Sequence, residues 1–600
     1  MQDGHIDTGL LNCSVQPNQN RILRFGPFEF DPASGELLRQ GVKRKLRHQP
    51  SRLLAVLLSN AGKIVTRDQM ETALWPDGTV VGFETAINKS VSQLRAALGD
   101  NPRAPKFIET IPKRGYRLIG SHARAGEMSV QSAAIKSVLV LPFENLTGSP
   151  GQAFLADGVV ETLITRLGSI EGLRVISRTT AMACSANRTR RKPPGREMGV
   201  DAVVEGAVTC SGTTLRVTLR LIQVADEHIV WQGKYDGVIG NVLALYDEAA
   251  EATAARLSVA PGPCANISGT RAAVAPEAYV AYLKGRYLWN RRGSQDVRAS
   301  IAEFQRALSL SPDFALAHAG LADAYVLLGV WGLETSHTAF GVAKREAQRA
   351  LDLDGSLAAA HCCMAEVLKD YEWNWAAAES EFQHALQLNA NYATAHHWYS
   401  QLLVARGRFS EAIAQIELAR RTDPLSPAIN AYVPYIYLAA RDYRRALEEA
   451  RTAVLLDPYS ALAHWQLGRA ALFCGMNGEA VNSLETASHL AGQLSMWQAE
   501  LSFARATAGD RDGAEAILHE LMDRARLQYV SAYDIAVCLA GLDDRKAALD
   551  HLEQAYEERL MRVIALGDPE FEGLREEPRF ASLVQRLRLV LTTSRKPTTK

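Results

Sequence analysis

The sequence has few cysteines and none in a framework. Its eight, Cys13, Cys184, Cys210, Cys264, Cys362, Cys363, Cys474 and Cys538, form no C-x-x-C pair, which argues against a disulfide scaffold or a zinc site. Cys362, Cys363 and Cys474 lie in alanine-rich helical text, where cysteine serves as a small hydrophobe, so reduced thiols are expected. No run reaches the roughly 18 apolar residues that would cross a bilayer. The start, MQDGHIDTGLLNCSVQPNQN, lacks the basic stretch and apolar core of a secretion signal. A soluble, cytoplasmic chain with no membrane partner is expected. Neither G-x-x-x-x-G-K-[ST] nor G-x-G-x-x-G occurs in the middle segment described below, so no nucleotide site is expected there. No catalytic residue, cofactor or metal is expected, and the protein reads as a non-enzyme.

What is present is length and an uneven charge. Six hundred residues exceed one core and imply three or more domains. Net charge is zero, yet residues 21–120 hold 17 Lys and Arg against 9 Asp and Glu. A basic segment on a mildly acidic body suits an anionic partner.

That segment opens with strand-like text, RILRFGPFEFD and GELLRQGVKRKLRHQP, broken at Gly26-Pro27 and Gln40-Gly41. PSRLLAVLLSN reads as a helix. TRDQMETALW follows, with Thr66 as N-cap and Gln69 completing a capping box. In FETAINKSVSQLRAALGD, Ile87, Val91, Leu94 and Leu98 form a core stripe. The opposite face carries Thr85, Lys89, Ser92 and Ala96, flanked by Asn88, Gln93 and Arg95. Donors and a cation on small neighbours suit a helix that enters a major groove, although an ordinary solvated face would look the same. FIETI and GYRLIG then flank the turn PKRG, where Pro112 and Gly115 serve the backbone and Lys113 and Arg114 do not.

Strands, three helices and a basic hairpin, with SQLRAALGD followed by FIETIPKRGYRLIG, resemble the OmpR/PhoB-type winged-helix DNA-binding domain. The resemblance implies that the third helix enters the major groove and that the wing reaches phosphates or the minor groove. The candidate DNA-contacting residues are Thr66, Arg67, Thr85, Asn88, Lys89, Ser92, Gln93, Arg95, Lys113, Arg114 and Arg117. In that family the loop between the second and third helices, here Trp75 to Phe83, can touch RNA polymerase.

Residues 136–260 read as a small α+β domain. KSVLVLPFENL is a strand, and the following helix aligns Leu155, Val159, Leu163 and Leu167. A meander follows in which Leu215, Val217, Leu219 and Leu221 alternate with polar residues. VLPFEN, FLADG, GVDAVVEG and HIVWQGKYD resemble a TolB-N-like domain, which implies little chemistry. Asp157 and Glu161 are expected to be a helix-start acid and a solvated acid.

Residues 275–590 repeat. Ala307, Ala350, Ala385, Ala419, Ala453 and Ala487 start equivalent phrases at steps of 43, 35, 34, 34 and 34. Two further steps reach Leu521 and Ala555. A period of 34 identifies tetratricopeptide repeats, which stack into a solenoid with a concave groove for peptides or protein segments. The extra text in the first step, GVWGLETSHTAF, is expected to lengthen a helix or insert a loop. His318, His361, His396 and His464 recur at one repeat position, too far apart to share a metal, and form a packing or groove-lining column. The last stretch, EFEGLREEPRFASLVQRL, reads as a capping helix.

The expected fold is multidomain: a winged helix-turn-helix (α+β), a small α+β middle domain and an all-α tetratricopeptide solenoid. The expected segments are a disordered 1–20, the winged helix at 21–120, a linker at 121–135, the middle domain at 136–260, a linker at 261–274, the solenoid with its cap at 275–590 and a tail at 591–600. The chain resembles CadC/ToxR/HilA-like regulators, but with no membrane helix at 121–135. That implies a sequence-specific transcriptional regulator with promoter DNA, RNA polymerase and a protein or peptide ligand as partners, and a homodimer as one state of assembly. The alternative is a scaffold or adaptor whose winged head contacts protein.

Overall fold

A computed structural model describes residues 23–591, apart from 26–27, 33, 40–41, 61–63, 76–82, 103–104, 113, 120–134, 187–192, 258–273, 292 and 492–493. The expected disordered start and nearly all of both linkers and the tail therefore lie outside the described residues. The chain divides into two compact units, 1–133 and 134–600.

In the first unit, β1 (Leu23–Phe25), β2 (Phe28–Asp31), β3 (Glu36–Arg39) and β4 (Val42–Arg44) form an antiparallel sheet in chain order. Phe25, Phe28, Phe30 and Leu37 turn inward. Next come α1 (His48–Ser59), β5 (Ile64–Thr66), α2 (Arg67–Leu74) and α3 (Phe83–Leu98), then the hairpin of β6 (Ile108–Ile111) and β7 (Gly115–Leu118). The hairpin joins β5 in the order β5-β7-β6. The stripe Ile87, Val91, Leu94 and Leu98 is buried against Leu53, Leu54 and Leu57 of α1. The period of 3.6 thus gives α3 one inward and one outward face, as the sequence predicts.

The second unit begins with a mixed sheet. Its strands are β8 (Ser137–Val140), β9 (Glu144–Asn145), β10 (Arg174–Ile176), β11 (Ala202–Ser211), β12 (Thr214–Gln223) and β13 (Ile229–Val238). They run β10-β8-β11-β12-β13, with β9 beside β11. Between and after them lie α4 (Ala153–Gly168), α5 (Arg178–Ala186), α6 (Pro194–Glu197) and α7 (Val242–Ala254). Leu215, Val217, Leu219 and Leu221 are buried under α4 and α7. The expectation for Glu161 fails: it meets Arg286 at 2.9 Å, and Asp157 pairs with Arg178. Both acids sit where α4 faces other elements, so burial selects for partners.

Seventeen helices follow among the described residues, from Pro276–Asn290 to Pro578–Leu587. The first sixteen pair into eight repeats. The eight same-phase residues, from Ala307 to Ala555, are at most 3% exposed, because the second helix of each repeat crosses its neighbours closely there. The long first step lengthens both helices that flank Trp331 to Thr335, Ala315–Val330 and Ser336–Leu353.

The histidine column is structural. His318, His361, His396 and His464 each bond through Nε2 to the carbonyl oxygen six residues earlier, at 2.9–3.1 Å. The Nδ1 atoms of the first three reach Glu346, Glu381 and Gln415. In the intervening repeat Asn430 makes the same contact, donating to Pro424 O at 2.9 Å. Among the described residues no cluster suited to a metal occurs.

The final segment does not simply cap the array. Trp375 donates to Leu587 O at 2.8 Å, Arg406 to Arg588 O at 3.2 Å, and Val590 N–H to Ala405 O at 3.3 Å. Fully buried Arg469 bridges Asp568 and Glu570 at 2.7 and 2.6 Å. Nearby, Arg562 pairs with Asp534 and Glu500. Residues 561–591 thus touch successive repeats from the helix Trp375–Leu388 to Ala532–Gly541. Glu500 is buried and faces Glu570, so its carboxyl is pushed up to about 8 despite Arg469 and Arg562.

Candidate nucleic-acid interface

The candidate interface is built on α3 and the hairpin of the first unit. Thr66 caps α2: its Oγ1 accepts from Gln69 N–H, and Gln69 Oε1 accepts from Thr66 N–H at 2.9 Å. This capping box fixes where α2 starts. Arg67 pairs with Glu84 at 2.8 Å and ties the starts of α2 and α3 together. Arg52 donates to the carbonyls of Ala73 and Leu74 and closes the other end of α2.

On α3, Thr85, Asn88, Lys89, Ser92 and Ala96 are exposed and Gln93 is half-buried. Apart from Glu84, which Arg67 holds, this surface carries no carboxylate. Asn88 accepts from Tyr116 Oη at 2.7 Å, which orients its amide. Tyr116 is buried, with its ring inward. Arg95 points toward the hairpin: Nη2 donates to Ile108 O at 2.7 Å and to Thr110 Oγ1 at 2.9 Å, with the guanidinium over the Tyr116 ring. These bonds dock α3 onto the wing.

In the hairpin, Arg117 Nε donates to Glu109 Oε2 at 2.8 Å across the strands. Arg114 stands exposed at the tip. Lys113 lies outside the described residues, as do residues 76–82 of the expected polymerase loop. Gly115 has φ +151°, and a Cβ there would lie 2.1 Å from Val65 O. Only glycine lets β7 pass that close to β5.

Two features went unassigned in the sequence. Asp100 accepts from the N–H groups of Lys106 and Ile108 at 2.6 and 2.7 Å and anchors the start of the hairpin. Its signal was the final Asp of SQLRAALGD. Arg44, the last residue of β4, and Lys45 and Arg47, between β4 and α1, are exposed cations that read only as strand text.

Residues 41–118 match the family "Transcriptional regulatory protein, C terminal", and residues 373–431 match a tetratricopeptide repeat. The chain is similar to a putative adenylate cyclase 3 of Rhizobium meliloti (strain 1021), 30% identical over 271 residues, 44% of each chain. It is similar to a cholera toxin homolog transcriptional activator of Vibrio parahaemolyticus, 30% identical over 112 residues, 18% of this chain and 38% of that one. It spans less than half the length of these two relatives. It is also similar to the transcriptional regulator HilA of Salmonella typhi, 20% identical over 444 residues, 74% of this chain and 78% of that one. The first of these matches is longer than the 133-residue first unit, so it reaches into the second. The chain therefore carries an OmpR/PhoB-type winged-helix domain of the transcriptional-regulator C-terminal family, followed by tetratricopeptide repeats, and has bacterial transcriptional regulators among its homologues.

Proposed function

We propose that this protein is a one-component transcriptional regulator that binds promoter DNA through α3 and the wing, in the cytoplasm and without enzymatic activity. The observation that carries the proposal is the exposed face of α3, polar and cationic through Lys89, beside a hairpin tipped by Arg114. In this reading Thr85, Asn88, Lys89, Ser92 and Gln93 meet base edges. Arg114 and Lys113 meet phosphates. Thr66, Arg67, Arg95 and Arg117 hold the helix and wing in register, with their remaining donors turned to the backbone. RNA polymerase contact through the loop from Trp75 to Phe83 belongs to the same reading, as does a protein or peptide partner for the repeats. Among the described residues no helix is long and apolar enough to cross a membrane.

Selection of bound sequences from random duplexes by the full chain, and by residues 1–125, tests the proposal. A recovered motif supports it. Lys89→Ala and Ser92→Ala should then change the preferred sequence more than non-specific affinity. No enrichment with either form would favour a protein-binding scaffold. A log-log salt slope close to zero would point the same way.

A further inference from the structure

The turns between repeats line one edge of the solenoid, and part of that edge is already an interface. In the third and fourth repeats it holds the mixed-sheet domain. Asn391 Nδ2 donates to Leu173 O at 2.7 Å and to Gly168 O at 3.1 Å, while its Oδ1 accepts from Val175 N–H at 3.0 Å. Thr422 O accepts from Ser177 N–H at 2.8 Å. Asp423 Oδ1 accepts from Thr180 Oγ1 at 2.7 Å, and Leu425 N–H donates to that hydroxyl at 2.8 Å.

The same positions one and three repeats later carry large apolar side chains facing solvent. Asn391, Leu425, Tyr459 and Leu527 share one place in the 34-residue period. Tyr459 is 83% exposed and Leu527 90%. Around them Leu455 is 81% exposed, Tyr529 66%, and Leu456 and Leu494 51% each. Isolated exposed apolar residues are ordinary, but four leucines and two tyrosines at or beside three successive turns make a stripe that continues a used interface. Side chains of this size and exposure offer on the order of 800 Å², the area per partner of a standard protein interface.

We propose that this edge, from Leu455 to Tyr529, is the docking surface for a second copy of the chain, packed stripe against stripe about a two-fold axis. A two-fold contact needs one patch complementary to itself. An apolar stripe meets that condition without matched charges. Its rim is self-complementary too, since Asp523 and Arg526 lie exposed beside it as a 2.9 Å pair. The proposal does not depend on DNA binding.

Sedimentation equilibrium of the full chain without DNA, from about 1 to 100 µM, tests it. The expected result is a dimer. Tyr459→Asp combined with Leu527→Asp should return a folded monomer with an unchanged circular dichroism spectrum, because both side chains are solvated in the single chain. Tyr459→Phe should leave the dimer intact. A wild-type monomer at 100 µM would overturn the proposal and leave the edge to a different protein. A dimer indifferent to the double substitution would place the self-contact elsewhere and overturn it equally.

Discussion

The two wing arginines should differ in how they depend on salt. Arg114 stands exposed at the tip, whereas Arg117 shares a carboxylate with the strand opposite. In the proposed complex Arg114 displaces about one counterion and Arg117 much less than one. Each neutralised phosphate contributes a log-log salt slope of about 0.9. Arg114→Ala should therefore lower the magnitude of the slope by about 0.9, and the affinity lost between 50 and 200 mM salt should shrink by about 3.5-fold. Arg117→Ala should change the slope by well under half of that. Its main effect should fall on the hairpin, where the half-exposed pair with Glu109 stabilises the domain by about 0–1 kcal/mol. Fluorescence anisotropy of a labelled duplex across that salt range reads both slopes on the full chain. Equal slope changes for the two variants, or none for Arg114→Ala, would refute the assignment of the tip to the phosphate backbone.

Gly115→Val should unfold the wing, since its Cβ would meet Val65 O; a lowered melting transition of residues 1–125 with loss of duplex binding checks this. Arg469→Met should cost about 3–5 kcal/mol in urea unfolding, because it strands Asp568 and Glu570 without their cation; adding Asp568→Asn and Glu570→Gln should recover much of it. The stability of the second unit should fall as pH rises from about 5 to 8. Glu500 holds its proton in the folded state up to about 8, whereas an unfolded carboxyl loses it near 4.3, so the folded form binds the extra proton in that window. Glu500→Gln should flatten this dependence in a pH series of thermal melts.

Local rules carried much of this structure. The 34-residue period placed eight buried positions, the 4-3-4 spacing oriented α3, and Thr66 with Gln69 marked the start of α2. The solvated reading of Glu161 failed because its partner, Arg286, lies 125 residues away in a different fold element. The return of residues 561–591 into the array was hidden for the same reason. It rests on Arg469, Trp375 and Arg406, which look like ordinary helix residues until distant carbonyls and carboxylates arrive. On the DNA-binding side, helical phase separated the faces of α3 correctly, but phase alone does not show how far a long side chain reaches. Arg95 sits beside the outward face and bends back to the hairpin.

The return of residues 561–591 onto the array bears on how the chain is made. An open solenoid can fold repeat by repeat as it leaves the ribosome, each unit needing only its neighbour. Here the repeats that carry Trp375 and Arg406 lack these contacts until residues 561–591 have been made. Nascent repeats would wait, part-finished and apolar, for a partner encoded about 180 residues downstream. A ribosome stalled near residue 550 should therefore hold a chain that proteases and holdase chaperones recognise, and emergence of residues 561–591 should protect the repeats they touch in one step.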